Sequence, residues 1–116
     1  MPYNRGDVVL VLFPNTNMTT AKRRPALVIQ ADNLSSGLPQ TILTMITSNM
    51  ARGGHRSRVT ILQNSPEGYS AGILSDSIIM TDNLVTVLEK EIDRSIGLLK
   101  DMTLVDEALK YTLSLV

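Results

Sequence analysis

The chain contains no cysteine. That excludes a disulfide framework, a thiolate nucleophile and any cysteine-based zinc or iron–sulfur site, and it fits a reducing compartment such as the cytoplasm. Only one histidine is present, so a multi-histidine metal site cannot be assembled. The acidic residues are dispersed rather than grouped as magnesium ligands would be. Neither a dinucleotide fingerprint, a Walker-type phosphate loop nor an HExxH helix occurs. No metal and no cofactor are expected. Tryptophan is absent and aromatics make up 3% of the chain, so the core must come from Val, Ile, Leu and Met. The longest apolar run, Val8 to Pro14, falls far short of the roughly 20 residues that span a bilayer, and no membrane role is expected. The N-terminal segment lacks the long apolar stretch of a signal peptide.

What is present suits one compact domain over residues 1–116, with 43% hydrophobic and 19% charged residues. The net charge of zero conceals a separation. Residues 1–60 carry seven basic and two acidic side chains, and the remainder four and nine, giving +5 and −5. Two basic clusters, Lys22–Arg24 and Arg52–Arg58, either meet on one face and attract phosphate or lie in ordinary solvated loops.

Short β-branched and aliphatic runs predict strands at Val8–Phe13, Ala26–Gln30 (opened by Pro25), Gln40–Thr47 and Val59–Leu62. Ile73-Leu74 and Ser77–Met80 read as one strand or two adjoining pieces, and Leu84–Leu88 as another. Asn15–Arg23 reads as a mobile loop, Ser48–Arg56 as a polar loop with glycines, and Asn64–Gly68 as a turn. Glu89–Arg94 reads as a short helical turn before Ser95–Leu99. From Asp101 onward, Val105, Ala108, Leu109, Thr112, Leu113 and Val116 keep helical spacing, and Asp101 or Thr103 can cap that helix. Five to seven strands with one closing helix predict a small, strongly bent antiparallel sheet or partial barrel.

Several side chains could carry chemistry. Proline keeps the preceding Arg24 extended, where its guanidinium either makes bidentate phosphate contacts or is an ordinary surface arginine. Thr47 and Ser48 end a strand, where their hydroxyls donate to a phosphate or cap a turn. His55 lies in a basic, glycine-flexed loop, solvated or in contact with a ligand. Asp76-Ser77 and Asp82-Asn83 flank Ile78-Ile79-Met80 and fit strand-end turns.

The ordered set of Arg5-Gly6-Asp7-Val8-Val9-Leu10-Val11, Arg24-Pro25-Ala26-Leu27-Val28-Ile29, Ile46-Thr47-Ser48 and Asp76-Ser77-Ile78-Ile79 closely resembles the MazF/PemK toxins, and Val105–Leu109 resembles their final helix. The resemblance covers nearly the whole chain. It implies a mainly β fold, an SH3-like antiparallel barrel closed by a C-terminal amphipathic helix, assembled as a homodimer. It also implies a metal-independent endoribonuclease that cuts single-stranded RNA and is restrained by an acidic, partly disordered antitoxin. On this reading Arg24 and Thr47 are catalytic. Lys22, Arg23, Ser48, Arg52, His55, Arg56, Arg58, Asp76 and Asp82 are candidate RNA contacts, with Asn15–Arg23 and Ser48–Arg58 as mobile walls.

The implied chemistry is attack of a 2′-hydroxyl on the adjacent phosphorus, leaving a 2′,3′-cyclic phosphate and a 5′-hydroxyl. Arg24 would stabilise the developing charge, Thr47 would donate to the same phosphate, and the general base is unassigned. Relatives often carry basic residues where Met80 and Val85 stand, so the groove is expected to be less basic here. That departure keeps a second reading open: a non-catalytic module of the same fold, either resembling the gyrase-poisoning relatives or serving only to bind antitoxin.

Overall fold

A computed structural model describes residues 3–14 and 19–115. Its elements are β1 (Asp7–Pro14), β2 (Ala21–Val28), β3 (Gln40–Thr47), β4 (Arg58–Ile61), α1 (Pro66–Ala71), β5 (Ser77–Leu88), β6 (Ile92–Leu98) and α2 (Thr103–Leu113). Single 3-10 turns lie at Met50–Arg52 and Glu89–Glu91. The strands form one antiparallel sheet in the order β4-β5-β3-β2-β1-β6.

The connection between β5 and β6 dictates the bend. These strands lie four places apart in the sheet, about 19 Å if it were flat at roughly 4.8 Å per interval. Only Glu89–Glu91, wound into a 3-10 turn, joins them. At about 2.0 Å per residue such a turn bridges a fraction of that gap, so the sheet must curl back on itself. Val87 from one end and Ile92 from the other accordingly share a core cluster with Val9, Val11, Ala26 and Leu43. The alternate residues of the same strands, Val8, Leu27, Ile46 and Ile79, form a second cluster with Ala71 of α1 and Val105 of α2. Burial of both faces explains why β1 is written as an unbroken apolar run. The mainly β fold is the expected one, although hydrogen bonding does not close the barrel among the described residues: β4 and β6 are edges.

The helical turn expected over Glu89–Arg94 stops at Glu91, with Ile92–Arg94 already in β6, and four further expectations are corrected. First, β2 begins at Ala21, so Ala21–Arg23 belong to a strand rather than a loop, and Pro25 lies inside it. The strand runs through the proline because it pairs there with β1 alone. Asn15–Met18 lie outside the described residues. Second, Asn64–Gly68 is not merely a turn. Ser65 Oγ accepts from the Gly68 N–H and Pro66 occupies the first turn, which starts α1. Two helices therefore cover the sheet. Third, Ile73-Leu74 lies in the loop between α1 and β5. Fourth, Ser77–Leu88 is one strand whose register jumps from Met45↔Met80 to Thr44↔Leu84, leaving Thr81–Asn83 as a bulge. The C-terminal helix does form, and Asp101 Oδ1 accepts from the Thr103 N–H at 3.0 Å at its start. Hydrogen bonding from the Thr103 side chain, and then from its backbone N–H, holds the exposed Asp101 carboxyl below its ordinary value.

Three fastenings fix the layers. Arg5 donates to the Ile29 carbonyl at 3.0 Å and to Asp106 of α2 at 2.5 Å, so this part of the Arg-Gly-Asp signature is structural. α1 docks on β6 through two glycines. Gly72 caps the helix at φ +71°, and a Cβ built on Gly97 would stand 2.3 Å from the Ala71 backbone. Arg58 lies with both Nε and Nη2 on the Asp82 carboxylate, at 2.9 and 2.6 Å, tying β4 to the bulge in β5.

Gly97→Ala is expected to destabilise the protein by about 1–3 kcal/mol, because backbone rather than a flexible side chain opposes the new methyl group. Urea denaturation measures this, and an unchanged midpoint would contradict the docking. A second expectation concerns acid. Bonding to Arg58 holds the Asp82 carboxyl below its ordinary value of 3.8, against a smaller opposing effect of burial. A lowered carboxyl stabilises the fold above its unfolded value, and this contribution is lost as pH falls through the folded value. Asp82→Asn should therefore be less stable than wild type near neutral pH, with the gap closing in acid below 3.8. Urea midpoints across a pH series would show a constant gap if the pair made no contribution of this kind.

Candidate functional site

The site begins where a ladder ends. β2 and β3 pair through Val28↔Leu43, Leu27↔Thr44 and Ala26↔Met45, and no further. Extending that register by one residue would set Pro25 against Ile46, but proline has no N–H to offer. Extending it by two would set Arg24 against Thr47. Instead β2 continues along β1, with Arg24 opposite Val11, while β3 continues along β5, with Thr47 opposite Ile78. The strands part like a fork and open a cleft of about 720 Å³. Arg24 and Thr47 both line it.

The cleft is electrostatically one-sided. Lys22, Arg23, Arg24 and Arg52 line it, and among the described residues no carboxylate does. Arg23 donates to Asp93 at 3.0 Å. Among the described residues, Lys22, Arg24 and Arg52 have no carboxylate within ion-pair distance. In a chain of zero net charge, such a concentration of cations marks an anion site. The half-buried Thr47 adds a directed donor. Its Oγ1 accepts from the Asn49 N–H at 3.1 Å, so its own O–H remains available to donate outward. Turn capping and anion donation are thus compatible in one hydroxyl. Ser48 lines the cleft beside it.

The remaining lining is largely apolar, from Leu10, Ile73, Leu74, Met80, Val85 and Ile96, with the amides of Asn49 and Asn83 and the hydroxyls of Ser75 and Ser77 among them. Met80 and Val85, flagged in the sequence as apolar substitutions, do face the site. The sequence did not mark Leu74 or Asn49 as site residues, and it marked Asn83, with Asp82, as a strand-end turn. Asn83 enters only because the bulge turns it there, and a register jump leaves no local sequence signal.

Five of the candidate contacts lie outside the lining, each engaged within the chain. His55 Nδ1 is 2.7 Å from Ser57 Oγ, and its ring meets Tyr111 edge-on at 6.0 Å. The Arg56 guanidinium stacks over the Tyr111 ring at 4.1 Å. Asp76 accepts from the Gln63 N–H at 2.9 Å. Arg58 and Asp82 hold each other. The basic segment Arg52–Arg58 therefore divides, with Arg52 in the cleft and His55 to Arg58 packed beside it. Among the described residues no three His, Asp or Glu side chains converge as metal ligands would. No helix is long and apolar enough to cross a membrane among them.

Comparison with solved structures finds the same fold repeatedly. A mycobacterial endoribonuclease in complex with its cognate antitoxin shares 17% identity at a TM-score of 0.73, covering 98% of this chain and 97% of that one. The Mycobacterium tuberculosis toxin MazF-mt6 shares 18% at 0.72, covering 93% and 96%. A MazE–MazF structure from Deinococcus radiodurans shares 16% at 0.74, covering 100% and 99%. No curated protein sequence matches significantly. The family model of PemK-like, MazF-like toxins of type II toxin–antitoxin systems matches residues 4–113. That match spans all but the extreme termini and both arms of the fork, and the chain belongs to the PemK-like, MazF-like toxin family.

Proposed function

We propose that this toxin is an endoribonuclease that cleaves single-stranded RNA in the cytoplasm, without a metal, at the fork between β2 and β3. The observation that carries the reading is the placement of Arg24 and Thr47 on the two arms of a cleft lined, among the described residues, by four cations and no carboxylate. The scissile phosphate sits between the arms. Arg24 donates to its non-bridging oxygens, where negative charge grows in the transition state, and Thr47 donates its free O–H to the same group. The 2′-oxygen forms its bond to phosphorus as the bond to the 5′-oxygen breaks. The proton leaves the 2′-hydroxyl, and the departing 5′-oxygen gains one, leaving a 2′,3′-cyclic phosphate and a 5′-hydroxyl. A guanidinium offers donors and no acceptor, so the role of Arg24 is charge stabilisation and hydrogen-bond donation.

Lys22, Arg23, Ser48 and Arg52 contact the flanking backbone. His55, Arg56 and Asp76 do not line the cleft and would meet only RNA that extends beyond it. Unpaired RNA suits an open cleft, because splayed bases expose edges to amides such as those of Asn49 and Asn83. The partner that restrains the enzyme is a cognate antitoxin with an acidic segment that fills the cationic cleft. Support comes from the family match and from fold neighbours described as endoribonucleases and as toxin–antitoxin complexes. The active assembly is a homodimer, as the family resemblance implies.

Cleavage of a long single-stranded RNA in the presence of EDTA, with mapping of the end groups, tests the assignment. Arg24→Ala is expected to lose about 10²–10³ in kcat, and Thr47→Val more than Thr47→Ser, because only serine keeps the donor. Undiminished cutting by Arg24→Ala would remove the catalytic role. The apolar Met80 and Val85 in the cleft favour a second reading, a non-catalytic module that grips a protein partner. On that reading purified wild type leaves RNA intact under all these conditions and inhibits DNA gyrase in an RNA-free supercoiling assay.

A further inference from the structure

Arg58 and Asp82 line no part of the cleft, yet they connect two segments that do. Arg58 Nε and Nη2 donate to the two oxygens of Asp82, and Nη1 donates to the Arg52 carbonyl at 2.7 Å. Arg52 ends the 3-10 turn Met50–Arg52 and places its own side chain in the cleft. Asp82 is the middle residue of the β5 bulge, whose last residue, Asn83, also lines the cleft. The bulge is tied at its first residue too. Thr81 donates to the Ser57 carbonyl from its N–H at 3.0 Å and from its hydroxyl at 2.6 Å, and Thr81 Oγ1 lies 2.8 Å from Thr112 Oγ1 of α2. Two members of the bulge are therefore bound behind the cleft. Of the three bulge residues, Asn83 alone makes no side-chain hydrogen bond among the described residues.

We propose that Arg58 and Asp82 form a positioning pair that fixes where Arg52 and Asn83 stand in the cleft, without touching the RNA. The inference rests on the reading of the cleft as an RNA site. A planar guanidinium meets three acceptors at once here, two carboxylate oxygens and one carbonyl, which a lysine ammonium cannot reproduce in the same plane. The competing role is direct phosphate binding by Arg58. Its charge is already matched by a bidentate carboxylate, and that carboxylate would repel a polyanion.

The two roles give Asp82→Asn opposite signs. If Arg58 binds phosphate, deleting the carboxylate frees the guanidinium and removes a repulsion, so binding and cleavage rise. If the pair positions Arg52 and Asn83, the same change loosens both, and kcat/KM falls by about 10- to 100-fold. Exposed pairs contribute little to global stability, so melting should change far less than activity.

The test compares wild type, Asp82→Asn, Arg58→Gln and the exchanged double variant Arg58→Asp with Asp82→Arg. Three readouts are taken: cleavage of single-stranded RNA, salt-dependent binding of a deoxy-substituted, uncleavable oligonucleotide, and amide exchange at Arg52 and Gly53. The expected result is loss of kcat/KM in both single variants, partial recovery in the exchanged pair, and faster exchange at both amides. The salt slope of Arg58→Gln should match wild type, whereas a lost phosphate contact would lower it by about 0.7. Unchanged or raised kcat/KM in Asp82→Asn, or unchanged exchange at Arg52 and Gly53, would overturn the positioning role while leaving the nuclease assignment intact. If wild type binds the oligonucleotide without cutting, its affinity replaces kcat/KM in the same comparison. If wild type neither cuts nor binds, the nuclease reading fails and the positioning role fails with it.

Discussion

A proline at position 25 leaves β2 without a backbone donor just beyond its last pair with β3. Had the ladder continued, Arg24 and Thr47 would be neighbours in a closed sheet, their backbones paired and the space between them filled. Because it stops, β2 stays with β1 and β3 stays with β5, and the sheet opens along a line that passes between those two side chains. The interruption is cheap because it falls where β2 already has a full partner on its other side. Strand pairing thus supplies both the rigidity that holds the two groups and the gap in which a ligand can meet them. The curl imposed by the short link between β5 and β6 keeps that gap a cleft rather than a slot in a flat sheet.

The charge distribution follows the same division. Asp106, Asp82 and Asp93 each engage an arginine, and none of them lines the cleft. The cations left at the fork are uncompensated, which is why a chain of zero net charge can present a positive site. Screening over about 8–10 Å at physiological salt confines this field to the vicinity of the cleft. The acidic excess of the second half of the sequence is therefore no obstacle to binding an anion at the first half's strands.

Much of this was legible before any coordinates, and the exceptions share a cause. Gln40–Thr47 is a strand over the residues its apolar pattern marks, and the terminal helix follows its heptad-like spacing. Both signals are local. Ser65-Pro66-Glu67 is equally good as a turn and as a helix start, and only the close seat of Gly68 against the Leu62 carbonyl shows which was realised. Pro25 looked like a strand's first residue because its pairing on one side only cannot be seen in one strand. At the site, family resemblance singled out Arg24 and Thr47, but their opposition across the fork emerges from register. The bond between Arg58 and Asp82 was not legible either, because a basic and an acidic residue 24 positions apart carry no local mark of bonding each other. Asn83 was invisible as a cleft residue for the same reason, since a bulge is a property of two strands.

The apolar half of the cleft alters the balance of forces that the cations would otherwise dominate. Met80 and Val85 add no charge and give the cleft an apolar wall, while Arg24 itself stays exposed to solvent. At 4 Å, two unit charges interact with about 1 kcal/mol in bulk water and about 4 kcal/mol at the effective dielectric typical of a protein surface. Only once a ligand covers the cleft and displaces its water would a few cations beside an apolar wall compensate for missing ones. The compensation has a different character. A groove that relies on many exposed lysines and arginines binds with steep salt dependence and little regard for position, because each contact releases counterions. A site that places one guanidinium and one hydroxyl against an apolar wall gathers its attraction at a single phosphate and offers the remaining surface to the faces of bases. On that argument an RNA bound here would be held less along its chain of phosphates and more at the one beside Arg24 at the fork.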